Sequence, residues 1–165
     1  MKTAVFAGSF DPITLGHIDI IKQALLVFDH IVIACGDNPD KKYLLPLANR
    51  VKLLTVSLFD DTRLSPQQIS VTNFGQQLLV DFCLNHNYKF VIRGIRNAKD
   101  TDYEKDLFSV YNQLGVKVNF VYFLSNQSYC HISSSLVKGL LSAQNIDKLI
   151  KQYLTPSVCD YLLAL

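Results

Sequence analysis

Hydroxyl, imidazole, ammonium and guanidinium side chains gather in four short stretches of this 165-residue chain, and none of the four contains a nucleophile beside a base. The first is Gly8-Ser9-Phe10-Asp11-Pro12-Ile13-Thr14-Leu15-Gly16-His17. Gly8 lets backbone turn sharply or lie close to a ligand. Ser9 supplies a hydroxyl donor, and Asp11-Pro12 forms a turn. Gly16-His17 falls at a helix start, where free N–H groups and the helix dipole favour an anion. Packing or capping of the turn by His17, with Ser9 and Asp11 satisfying loop amides, is the plain alternative. The stretch is neither G-x-x-x-x-G-K-[ST] nor G-x-G-x-x-G, which excludes a P-loop and the usual dinucleotide fingerprint.

The second stretch is Arg93-Gly94-Ile95-Arg96, followed by Asp100, Tyr103 and Glu104. Guanidinium forks match phosphate oxygens, although arginines beside Asp100, Asp102 and Glu104 also suit surface pairs that contribute little. The third is Ile132-Ser133-Ser134-Ser135, three hydroxyls opening a helix, either an anion cradle or a plain N-cap. The fourth is Asp40-Lys41-Lys42, where a lysine on a loop can reach across a site as a point charge or belong to a solvated charge run. His30, His86 and His131 have no metal-ligand spacing. Cys35, Cys83, Cys130 and Cys159 are scattered, with no C-x-x-C, so neither a paired-cysteine zinc site nor a disulfide framework is indicated.

Those stretches need a frame. Apolar, β-branched runs at Thr3–Ala7, His30–Ala34, Ile69–Val71, Phe90–Ile92 and Val116–Leu124 read as strands. Helical spacing marks Gly16–Phe28, Leu47–Phe59, Gln76–Asn85, Thr101–Leu114 and Ser133–Ser142, and Thr155-Pro156 opens a last helix. Strands alternating with helices predict an α/β fold, a doubly wound parallel sheet with right-handed crossovers. Ligands then bind beyond the carboxyl ends of the strands, at a switch point, and there the four stretches fall.

The Gly8–His17 segment resembles the nucleotidylyltransferase signature, whose bearers move a nucleotidyl group from a nucleoside triphosphate to a phosphate or similar acceptor. Thr14 stands where many pyridine-mononucleotide enzymes have a first histidine, and D-P-I-T-x-G-H-I-D is similar to the phosphopantetheine adenylyltransferases. R-G-I-R-x-x-x-D-x-x-Y-E, from Arg93 to Glu104, resembles the same family independently, and I-S-S-S is a third match in order. Ser9 replaces a more usual threonine, and Ala7 a common proline. The resemblance implies a Rossmann-like single domain over residues 1–165 and transfer of AMP from ATP to 4′-phosphopantetheine, giving dephospho-coenzyme A. By the same resemblance, His17 faces the α-phosphate, and Ser9, Lys41, Arg93 and Leu79 hold the acceptor. Arg96 and Ser133, Ser134 and Ser135 hold the β and γ phosphates. Phe10, Gly94, Ile95, Glu104, Tyr129, Cys130, His131 and Ile132 complete the ATP contacts, with His17, Lys41 and Arg96 as the catalytic set. Magnesium arrives on ATP, and a homohexamer is expected. Another acceptor such as a pyridine mononucleotide, CTP as donor, and a non-catalytic nucleotide sensor are the competing readings.

Length and composition agree with one globular domain. Hydrophobic residues make up 49% and charged residues 18%. A net charge of +2 is too weak for a nucleic-acid-coating or polybasic membrane protein, and too weak for the tRNA footprint of a synthetase core. No apolar run approaches the roughly 18 residues of a membrane span. Met1 to Ala7 is too short an apolar run for a signal peptide. A cytoplasmic enzyme is the expectation.

Overall fold

The computed structural model describes residues 1–113, 115, 117–141 and 146–165. Five strands form one sheet: β1 (Thr3–Gly8), β2 (His30–Gly36), β3 (Ile69–Gly75), β4 (Phe90–Ile95) and β5 (Asn119–Leu124). Their order is β3-β2-β1-β4-β5, and every pairing is parallel. The helices are α1 (Leu15–Ala24), α2 (Leu47–Val56), α3 (Leu79–Asn85), α4 (Ala98–Gln113), α5 (Ser134–Leu140), α6 (Ile146–Ile150) and α7 (Pro156–Leu163).

The central strands read as unbroken apolar runs because both faces of the sheet are covered. Alternate residues of β1 and β2 point to opposite sides. Ala4, Phe6, Ile31 and Ile33 join the larger core, which α1, α2 and α7 cover. Val5, Ala7, Val32 and Ala34 join a smaller core around Phe82 and Cys83 of α3. Order reverses at β1, with β2 on one side and β4 on the other, so the switch point lies between β1 and β4. The β1–β4 ladder is short, Val5↔Val91 and Phe6↔Ile92.

Several boundaries differ from the sequence reading. β4 continues through Arg93-Gly94-Ile95 instead of stopping before them, because β5 pairs with all three residues. Gly94 is therefore a strand residue, and its job is close packing. A Cβ there would meet Ile20 of α1 at 3.0 Å. α2 gives way at Ser57–Asp61 to a π-helical turn. α3 starts at Leu79, three residues late, after a turn whose Leu78 is exposed. β3 runs on to Gly75, and α6 has no counterpart among the expected helices. The expected ends at Leu114, Val116 and Ser142 lie outside the described residues.

Candidate active site

Beyond the short β1–β4 ladder the strands frame a cavity of about 250 Å³. Ala7 and Gly8 from β1 and Arg93 and Gly94 from β4 form its floor, with Ser9, Phe10, Gly16 and His17 beside them. Arg96, Ser125 and residues Ile132 to Ser135 close the other side. The cavity thus draws together parts of three of the four stretches, from both halves of the sheet.

His17 is the third residue of α1, and Thr14 is its N-cap. The Thr14 backbone N–H donates to Nδ1 at 3.0 Å, and the Thr14 hydroxyl lies 2.9 Å from the same nitrogen. The ring thus takes the place that a glutamate holds in a capping box. A backbone amide can only donate, so Nδ1 accepts and the neutral ring carries its proton on Nε2. Phe10 packs edge-on at 5.2 Å, and Phe6 lies at 6.3 Å. Burial and then the positive charge of Arg96 push the imidazole down to about 4. His17 is therefore neutral at physiological pH, with one N–H left to offer to the cavity. Capping uses Nδ1 alone, so it is compatible with a role for the other end of the ring in the cavity.

Arg93 donates from Nε (2.7 Å) and Nη2 (2.5 Å) to Oε1 of Glu104. Arg96 donates from Nε and Nη2 to Asp100 at 2.9 and 3.1 Å, and its backbone N–H adds a third bond to the same carboxylate. Burial alone would raise the Asp100 carboxyl; the bonds and charge of Arg96 outweigh it and hold it below its usual range. Each guanidinium is aimed by a carboxylate behind it. The three serines divide their work. The Ser133 oxygen caps α5 by accepting from the Leu136 N–H at 3.0 Å, which leaves its own proton free. Ser134 spends its proton on the Pro12 carbonyl at 2.8 Å. Ser135 is exposed and lines the cavity.

Among the described residues no carboxylate lines this cavity, and no cluster of three His, Cys, Asp or Glu could hold a metal. The donor set suits anionic oxygens. A divalent ion here would be held by phosphates and water that it arrives with.

Comparison with known proteins agrees with this geometry. The cytidylyltransferase-like family profile matches residues 5–140. A phosphopantetheine adenylyltransferase of Christiangramia forsetii is 39% identical over 142 residues, 86% of this chain and 89% of the relative. One from Chromobacterium violaceum is 33% identical over 165 residues, 100% of this chain and 98% of the relative. The chain belongs to the phosphopantetheine adenylyltransferase family. Its fold is similar to that of a nicotinic acid mononucleotide adenylyltransferase of Plasmodium falciparum solved with NaAD, at a TM-score of 0.73 and 18% identity, covering 98% of this chain and 94% of that one.

Within this adenylyltransferase, the remaining residues read from sequence lie outside the cavity wall. Lys41 is exposed on the loop after β2, its N–H bonded to the Asn38 carbonyl at 3.0 Å. Leu79 opens α3 and packs on the smaller core. Glu104 and Ile95 line a second, apolar cavity between α4 and β5. Tyr129 and Cys130 form a turn on the Asn126 carbonyl, and His131 packs edge-on against Tyr153 at 5.8 Å.

Three residues anchor the site of this adenylyltransferase from beneath, and two of them, Asp19 and Arg50, escaped the sequence reading. Asp11 is 1% exposed, accepts the Leu44 and Leu45 amides at 2.9 Å each, and pairs with Lys138 at 3.0 Å. The modest reading of Asp11, as a loop-amide acceptor, describes it. Asp19 of α1 accepts from the Asn126 N–H and side-chain amide, tying down the loop after β5. Arg50 is buried in α2. Its signal was a charge between Leu47 and Leu54, on the apolar side of a helix.

Proposed function

We propose that this chain transfers the adenylyl group of ATP to 4′-phosphopantetheine, giving dephospho-coenzyme A and pyrophosphate. The observation that carries the reading is the cavity's donor set. His17, Arg93, Arg96 and serine hydroxyls converge at the switch point, with no nucleophile–base pair and no carboxylate in the wall among the described residues. The attacking atom would be an already anionic phosphate oxygen, so no base is required. One P–O bond forms between that oxygen and the α-phosphorus while the bond to the bridging oxygen breaks, and pyrophosphate leaves with the electron pair. What remains is in-line positioning and neutralisation of charge.

In this reading the Nε2–H of His17 meets the α-phosphate, and Arg96 with Ser133 and Ser135 holds the β and γ oxygens. Ser9, Lys41 and Arg93 hold the acceptor phosphate, Lys41 by reaching in from its loop. Glu104, Ile95 and the turn at Tyr129 to His131 would border the adenosine, and Leu79 the pantetheine arm. Magnesium would enter with ATP, supplying charge neutralisation on the phosphates. The reading includes a homohexamer of 18.6 kDa chains, tested by light scattering. It also includes a cytoplasmic home, with which the four free cysteines are compatible; no helix among the described residues is long and apolar enough to cross a membrane.

The test is pyrophosphate release from Mg-ATP with 4′-phosphopantetheine, beside nicotinamide mononucleotide as acceptor and CTP as donor. Release with phosphopantetheine and ATP alone, matched by dephospho-coenzyme A, is the expected outcome. Release with the pyridine nucleotide overturns the acceptor. ATP binding without release under any condition overturns catalysis.

A further inference from the structure

Arg50 touches nothing in the cavity, yet it is the most heavily bonded side chain behind it. Its guanidinium is 1% exposed. Nη1 donates to the carbonyls of Ser9 and Gly36, both at 2.8 Å, and Nε donates to the Leu45 carbonyl at 3.1 Å. Nη2 pairs with Asp37, and the plane stacks on the Tyr43 ring at 4.0 Å. Gly36 ends β2, Asp37 begins the loop after it, and Leu45 closes that loop. Ser9 belongs to the loop that lines the cavity. One planar fork thus grips both ends of the Lys41 loop and fastens them to the β1–α1 loop. Asp11 repeats the grip from the other side, through the Leu44 and Leu45 amides.

We propose that Arg50 is a positioning residue for adenylyl transfer, holding the Asp37–Leu44 loop so that Lys41 reaches the cavity. This rests on the reading of Lys41 as a phosphate-holding residue. Core stability by itself does not call for a guanidinium here. Buried ion pairs are often replaceable by apolar side chains at little loss, and the same side of α2 already carries Leu47 and Leu54. What the charge adds is geometry, since its donors are fixed in one plane. A displacement of about 1 Å in a positioned group costs on the order of a hundredfold in rate.

The experiment uses the full chain. Arg50→Lys, Lys41→Ala and the double variant are compared by kcat and KM for each substrate, with thermal melting of each. Limited trypsin digestion of the wild type and Arg50→Lys reads cleavage after Lys41 and Lys42. The expected result is a loss of about a hundredfold in kcat/KM for Arg50→Lys, shrinking to within about twofold when Lys41 is already alanine. Trypsin cuts the loop faster in Arg50→Lys than in the wild type. Equal fold-losses in both backgrounds would mean that Arg50 acts on the whole fold, and the proposal falls. If Lys41→Ala alone is fully active, the Lys41 reading fails, and unchanged trypsin cleavage in Arg50→Lys then overturns loop-holding as well. Should Arg50→Lys not fold, Asp37→Asn, which keeps the guanidinium, replaces it in the same cycle with the same outcomes.

Discussion

Arg93 spends two of its donors on one oxygen of Glu104, and the other oxygen, Oε2, is buried with no partner among the described residues. The carboxylate is 8% exposed and the guanidinium 22%, so the pair lies mostly out of water. Removing one member of such a pair leaves the other uncompensated. Glu104→Ala should therefore lower kcat/KM for the acceptor by about tenfold or more, because it releases Arg93. Steady-state kinetics with each substrate varied in turn checks this. A rise confined to the KM of ATP would show that Glu104 only borders the nucleotide and does not also aim Arg93.

His17 carries a pH signature. Its folded-state value near 4 lies below the ordinary 6.5, so an unfolded chain takes up a proton in that window and the folded chain does not. This contribution is complete above pH 6.5 and is lost as pH falls towards 4, with a slope of at most about 1.4 kcal/mol per pH unit. Urea unfolding of the wild type and His17→Asn from pH 4.5 to 7 should show the wild type losing more stability on acidification. Parallel curves would sink the assignment. In turnover, His17→Ala should cost about two to three orders of magnitude in kcat, with ATP affinity nearly unchanged.

Thr14 is 1% exposed, and its hydroxyl lies 2.9 Å from Nδ1 of the His17 ring. Thr14→Val keeps the backbone amide and most of the volume but drops that hydroxyl. Its expected effect is a fall of about tenfold in kcat with stability lowered by no more than about 1 kcal/mol, the contribution of a neutral hydrogen bond. An unchanged kcat would mean that the amide alone orients the ring.

The serines should separate by function. Ser135→Ala should raise the KM of ATP and leave melting unchanged, because its exposed hydroxyl bonds to none of the described residues. Ser134→Ala should lower stability by about 1 kcal/mol through the lost bond to Pro12 and affect ATP less. Ser133→Ala should do both, as an N-cap with a free proton. Identical profiles for the three would overturn the division.

The stretches that meet in the cavity were legible because their residue types lie in local spacing. Gly8 to His17 and Arg93 to Arg96 are contiguous, and the alternation of strands and helices announces the rim on which they meet. Long-range anchors were not legible. Asp11 meets Leu44 and Lys138, 33 and 127 residues away, and Arg50 meets Ser9 across 41. No periodicity encodes such pairs. β4 was read too short because Arg93-Gly94 looks like a stop, whereas the partner strand β5 decides where pairing ends. α6 was missed because five residues are too few for helical spacing to declare itself.

Because the five strands all run one way, the chain enters the sheet at the edge opposite its chemistry. β1 begins at Thr3 and delivers Gly8 to the cavity about 17 Å further on, at roughly 3.3 Å per residue. Met1 is 91% exposed at that far edge. A surface tether, fluorescent label or affinity handle joined on that side of the sheet would leave the mouth of the cavity unobstructed, so the enzyme could be immobilised there and assayed in place.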